Sequence, residues 1–308
     1  MRTTATQTAL SLAEVRPLTT LMYGDLGYKS DFDGMFAQAL LSQIPGMGSV
    51  SVGVLSSLVG PGSKQAPFVA ADMPLLGMHA GRNMALSDSE SAYRMMTLIN
   101  SKDALWKAQY SELSQMGAAV AGMQETGAKL RGINTASGND AIKASLQSFV
   151  GQYNDWIQRF NPDMESGGLL AGTQAAQMSR YELEQSVKDI FNGAKDGVHG
   201  LGDLGISVNP VGQTLALDGT RFDAMLASGK QGVVDTLQEF GANFAKSASL
   251  LNADDNFIPR QLDNLNRAIH YIDDNGASLR AEFGTGDTAK PTGQVAQALA
   301  AYKQSYCG

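Results

Sequence analysis

The sequence predicts a mainly α fold: long antiparallel helices in a coiled-coil-like bundle, with one small β-hairpin insert. Three observations carry this. Between residues 87 and 284, apolar side chains recur at steps of three, four and seven, the period of a helix with one buried stripe. Polar stretches rich in Ala, Ser, Gln and Asn fill the gaps, and charged residues are only 17% of the chain. That composition suits extended helices and interfaces better than a compact enzyme. One short stretch, 205–217, instead alternates at period two about a Pro-Gly turn, as a half-buried strand pair requires.

Residues 1–86 are expected to form an irregular, partly disordered N-terminal region that orders on assembly. Glycine and apolar residues mix there. Val50, Val52 and Val54 alternate weakly like a strand, Phe36 to Ile44 fits one short helix, and Gly60-Pro61-Gly62 and Ala66-Pro67 are breakers. From Ser87 the pattern sharpens into a helical stalk domain over 87–284. Ser87 or Asp88 supplies the first cap, with Glu90 in the first turn. Ile99, Trp106, Leu113 and Val120 fall seven apart, flanked by Met96, Tyr110, Met116, Met123 and Leu130. A seven-residue repeat of this length predicts a long helix with a seam for a partner helix. Gly117, Gly122 and Gly127 each cost about 1 kcal/mol against Ala in a helix, a cost that close approach of another backbone would offset. Gly132 and Gly138 flank a break.

The second helix carries Ile142, Leu146, Phe149, Tyr153, Trp156 and Phe160, and Asn161-Pro162 is expected to stop it. Gly167-Gly168 connects to a third helix from about Thr173 to Val198, with Met178, Tyr181, Val187, Ile190, Phe191 and Ala194 inward. Ile206 and Val208, then Leu215 and Leu217, form the hairpin about Asn209-Pro210-Val211-Gly212-Gln213. Thr220, three residues before Asp223, is close to a capping-box pattern, with Asp218 the competing cap. Phe222, Met225 and Leu226 face one side of a short helix ended by Gly229, and Val233 to Phe244 form another. The last long helix opens at Asn256 to Pro259, where a proline lacks nothing the first turn needs. Its seam is Leu262, Leu265, Ile269, Ile272, Leu279 and Phe283, interrupted by Gly276 and ended at Gly284-Thr285-Gly286. Residues 285–308 are a C-terminal tail with a short helical pattern in Val295, Leu299 and Tyr302. The two long seams, from Ile99 to Val120 and from Leu262 to Phe283, supply the candidate helix-seam or subunit-contact residues.

Chemical motifs are sparse. His79, His199 and His270 stand in separate contexts, without the spacing of a zinc site or a metalloprotease helix. Asp254-Asp255-Asn256 lacks the alternate spacing and central glycine of a calcium loop and reads as N-terminal charge on the last helix. Asp273-Asp274 reads as a solvated face. Gly200-x-Gly202-x-x-Gly205 matches the dinucleotide-binding string, but it follows a helix and opens a strand, the reverse of the order that places a pyrophosphate on a helix N-terminus. Neither a nucleophile elbow nor a phosphate-binding loop occurs. No cofactor, no metal and no enzymatic activity are expected. The net charge of −7 argues against nucleic acid, whose phosphates need a basic face. Apolar runs fall short of the roughly 18 residues of a membrane span, and the N-terminus is a poor secretory signal. The one cysteine, Cys307, leaves no internal disulfide.

Several fragments together resemble one family. Phe149-Val150-x-x-Tyr153-Asn154, Gly168-Leu169-Leu170-Ala171-Gly172, Leu204-Gly205-Ile206, Leu215-x-Leu217-Asp218, Phe222 and Leu226 occur in the order and spacing of the carboxy-terminal part of the flagellar filament-cap family, hook-associated protein 2. Leu105 to Val120, with Gln109-Tyr110-Ser111-Glu112-Leu113, is similar to that family's early helix. The resemblance implies a secreted axial protein that assembles as a ring at the filament tip and promotes flagellin assembly. It further implies an extracellular location on the bacterial flagellum, export without a cleaved signal peptide, and homo-oligomers. Flagellin or other axial proteins and an export chaperone are the partners it implies. A non-enzymatic helical binding or adhesion module derived from the family is the alternative. One departure stands out. The family carries β-rich domains between its early helix and the Phe-Val-x-x-Tyr-Asn helix, whereas here about ten residues, Gly132 to Ala141, join the two, too few for a domain.

Overall fold

The computed structural model describes residues 78–189 and 198–306; the expectations for residues 1–77 and for Ile190, Phe191 and Ala194 lie outside them. Among the described residues the elements run β1 (Met78–His79), β2 (Arg82–Asn83), α1 (Ser89–Arg131), α2 (Asn139–Met164), α3 (Gln174–Lys188), β3 (Ile206–Val208), β4 (Leu215–Leu217), α4 (Gly219–Leu251), α5 (Phe257–Phe283) and α6 (Gly293–Tyr306). The fold is mainly α, with a small antiparallel β3–β4 sheet. A second two-stranded pair, β1–β2, packs through β2 against α1 and α5.

Helix α1 is the axis. Its 43 residues reach roughly 65 Å at 1.5 Å per residue. Asp88 caps it by accepting from the Ser91 amide at 2.9 Å. Helices α2, α4, α5 and α6 all pack on α1, so its buried residues spread over more than one face. Ile99, Leu113, Met116, Val120, Met123 and Leu130 are among them.

Helix α2 buries every position of its expected stripe: Ile142, Leu146, Phe149, Tyr153, Trp156 and Phe160. It does not stop at Pro162 but runs on to Met164. The proline removes one amide donor in the last turn, opposite the carbonyl of Gln158, an exposed residue, so the missing bond costs little there. Helix α3 ends at Lys188, earlier than expected, and its buried face is Ala175, Ala176, Ser179, Leu183, Ser186 and Val187. Tyr181, expected inward, is 56% exposed. It lies two positions before Leu183, which places it on the opposite side of the helix.

Helix α4 is broken at Gly229, whose φ of −157° and ψ of 60° are non-helical. Beyond that kink it runs antiparallel to α1. Gln238 donates to the Ile133 carbonyl at 2.6 Å, Gly241 meets Gly127, and Asn252 donates to the Gly117 carbonyl at 2.9 Å. After a turn at 252–256, capped by Asn256 onto the Phe257 amide, α5 continues the same line. Lys107 bridges it to α1 through Asp273 at 2.9 Å, so Asp273 is exposed but not merely solvated. Past Gly284 the chain is fastened to the start of α1. Asn100 donates to the Thr285 and Asp287 carbonyls at 3.0 and 2.9 Å, and Asn83 donates to the Ala281 carbonyl at 2.8 Å. Helix α6 then returns parallel to α1, where Tyr302 and Tyr306 meet Tyr110 edge-on at 6.0 and 5.4 Å.

The main core lies where α1, α2, α4 and the hairpin converge. Phe149 stands edge-on to both Phe240 and Phe244 at 4.9 Å, a geometry that aligns ring edges with ring faces.

Candidate functional site

The β3–β4 hairpin is the most tightly specified part of the chain. Its register pairs Ile206 with Leu217 and Val208 with Leu215. Asn209 organises the turn: its side chain accepts from the Val211 and Gly212 amides at 2.9 and 3.1 Å. Gly205, at φ +87°, turns the chain into β3, and its carbonyl accepts from the Asp218 amide at 2.9 Å. Asp218 in turn caps α4, accepting from the Thr220 and Arg221 amides at 3.0 Å each. Asp218 thus takes the cap that Thr220 was the rival for, while Asp223 pairs with Lys143 of α2 at 2.6 Å. The glycine string at 200–205 delivers the chain into this strand, not onto a helix N-terminus.

One side chain fastens the hairpin to the bundle. The Asn154 amide on α2 donates to the Leu215 carbonyl at 2.8 Å and accepts from the Leu215 amide at 2.7 Å. Both bonds go to one residue on the free edge of β4, as a neighbouring strand would bond there. Asn154 ends the Phe-Val-x-x-Tyr-Asn motif, but its partner lies 61 residues on, beyond the reach of any local pattern.

Below the clamp is a buried ionic cluster. Glu112 of α1 and Asp163 of α2 are 3% and 2% exposed, and Arg159 reaches both, at 2.6 and 3.1 Å. Burial raises the Glu112 carboxyl above its ordinary value against the pull of Arg159, and Asp163 adds to the rise. The Arg159–Asp163 half has a sequence signal, the one-turn spacing of opposite charges. Glu112 does not, because its partners sit on another helix. Lys107, between Asp103 and Asp273, forms a second, more exposed ionic cluster. Burial opposes its charge, but the two carboxylates hold its ammonium above the ordinary lysine value.

Of the seam candidates, Ile99, Leu113 and Val120 on α1 are buried, as are Leu265, Ile269, Ile272 and Leu279 on α5. Trp106, Leu262 and Phe283 are half-buried. Leu113, Val120 and Leu265 share the main core, with Trp106 and Leu262 packed against it. Among the described residues, no group of three metal-ligating side chains forms and no helix is long and apolar enough to cross a membrane. His270 is exposed and bonds its own helix through the Asn266 carbonyl.

A long helical axis, a clamped hairpin and buried ionic ties between helices define a structural helix-bundle module. The model of the flagellar hook-associated protein 2 C-terminus matches residues 122–290, and the chain belongs to that family of flagellar structural proteins. No curated protein and no solved structure matches it.

Proposed function

We propose that this chain is a non-enzymatic assembly subunit of the filament-cap type, which self-associates at the flagellar tip and promotes flagellin assembly. The family match over residues 122–290 carries the reading. Its physical support is that the motif residues act on one another. Asn154 holds Leu215, Gly205 bonds Asp218, and Phe149 packs on Phe240, so the matched segments form one interlocked unit rather than scattered likenesses. On this reading the protein is extracellular, is exported without a cleaved signal peptide, and meets flagellin, other axial proteins and an export chaperone.

The link from α1 to α2 is the tight turn 132–138, closed by the Ser137 amide on the Asn134 carbonyl at 3.0 Å. With no inserted β-rich domain there, subunit contacts fall to the helical surface itself. Light scattering and negative-stain imaging over a range of concentrations test the proposal, together with flagellin polymerisation with and without the protein. Rings or stacks and faster polymerisation are expected. A monomer at every concentration with no effect on flagellin would overturn the assembly role and favour the alternative, a helical binding or adhesion module.

A further inference from the structure

Helix α6 is held on the bundle differently from α2 and α5. Those two are tied to α1 by ion pairs, Arg159 to Glu112 at 2.6 Å and Asp273 to Lys107 at 2.9 Å. Of the 14 residues of α6, only Ala298 and Tyr302 are buried. Ala298 forms an apolar cluster with Ala108 of α1 and Leu169, apart from the main core and flanked by Leu105 and Leu299. Tyr302 and Tyr306 meet the Tyr110 ring edge-on beside it. The one charged side chain of α6, Lys303, is exposed, and no ion pair among the described residues joins α6 to α1.

The chain leading into α6 is fixed as far as Asp287. The Asp287 amide donates to the Thr97 hydroxyl at 2.8 Å, and its carboxylate accepts from the Tyr93 hydroxyl at 2.8 Å. Residues 288–292 then have no regular structure, and no hydrogen bond among the described residues ties them to α1 or α5. Fully extended, such a tether spans about 17 Å, whereas helices packed side by side lie about 10 Å apart. It can therefore reach the α1 of a copy lying alongside. Lifting α6 would uncover the apolar strip of Leu105, Ala108 and Tyr110, which has to be covered again. An identical helix from a second copy makes every contact that the first one made. Exchange then costs only the difference between the two tether paths.

We infer that α6 is an exchangeable strap: in the assembled state, α6 of one copy seats on α1 of the next, over Leu105, Ala108 and Tyr110, in place of that copy's own helix. This rests on the assembly reading above and names the element that links the copies. The occupant of the seat is already visible, because α6 fills it within the single chain. Each copy gives one helix and receives one, and handing the helix on in one direction closes a ring. A chain with no neighbour inside the length of the tether keeps α6 on its own α1.

Disulfide trapping in the full-length chain, in a Cys307→Ser background, tests it. Ala108→Cys and Ala298→Cys together in one chain should close an intramolecular disulfide in dilute protein. Carried instead on separate chains of different tag length, mixed before assembly and then oxidised, the two substitutions should link unlike chains. Neither variant should form that product alone. Ala298→Asp should unseat α6 and weaken self-association about tenfold or more by sedimentation. Near-ultraviolet dichroism of the main core, which α6 does not enter, should match the wild type. If the wild type assembles while the mixed chains stay unlinked, or Ala298→Asp assembles as the wild type does, the exchange is wrong while the assembly role stands. A wild type that stays monomeric removes both.

Discussion

Gly127 of α1 and Gly241 of α4 lie face to face, and each backbone fills the space where the other's side chain would stand. A Cβ on Gly241 would fall 2.5 Å from the Gly127 carbonyl oxygen and 2.7 Å from the Arg131 nitrogen. A Cβ on Gly127 would sit 3.1 Å from both the Gly241 oxygen and the Ala245 nitrogen. Glycine is used here because the two helices cross at backbone distance. Ordinary helix propensity loses to that contact.

Gly241→Ala should therefore destabilise the fold by about 1–3 kcal/mol, since the overlap with rigid backbone outweighs the roughly 1 kcal/mol that alanine gains in helix propensity. Gly122→Ala, where a Cβ would meet nothing within 4 Å, should stabilise by up to about 1 kcal/mol. Urea denaturation of the two variants beside wild type checks the contrast in sign. A stabilised Gly241→Ala would mean that the helices do not meet so closely.

Asn154→Ala removes both bonds to Leu215 and leaves a partly buried strand edge without partners, at a cost of about 1–3 kcal/mol. Amide exchange at Leu215 should quicken well before exchange in α1. Asn154→Asp should do little better, because a carboxylate then faces the Leu215 carbonyl.

Arg159→Met strands Glu112 and Asp163 without their shared cation. Arg159 is itself half-exposed, so water screens part of the loss and about 1–3 kcal/mol is expected. The pH dependence carries a definite sign. Burial raises the Glu112 carboxyl in the folded state, so its contribution is complete below the ordinary glutamate range. That contribution is lost as pH rises through the folded value. Glu112→Gln should flatten this decline, seen in melting temperatures measured from mildly acidic to mildly alkaline pH. An unchanged slope would show that Glu112 does not titrate there.

Phe149→Ala opens a cavity between two aromatic partners on α4 and should cost about 3–5 kcal/mol. Guanidinium denaturation measures it, and near-ultraviolet dichroism should lose ring signal in step.

Much of this architecture is legible in the sequence because it follows local periodicity. The stripe from Ile142 to Phe160 and the caps at Asp88, Asp218 and Asn256 use rules that span one or two turns. So does the Ile206–Leu217 hairpin. What stayed hidden depends on a distant partner or on the exact register and end of a helix. Gly122 and Gly127 look alike in sequence, yet only the second meets another backbone. Tyr181 falls on the solvent side because the register of α3 is set by Leu183 and Val187. Pro162 continues its helix because the last turn tolerates a missing donor. Glu112 has no opposite charge near it in sequence, since α2 brings Arg159 to it, and the family motif conceals that its final Asn154 is a clamp.

The order in which the chain is made adds one more demand. Helix α1 is complete at residue 131, but α4, α5 and α6, which cover most of it, come from residues 219 to 306. A nascent or threading chain therefore presents Ile99, Leu113, Met116 and Val120 to solvent for much of its synthesis. Exposed apolar stripes of this kind associate wrongly, so the bundle is safe from misassociation only once its last helix has arrived.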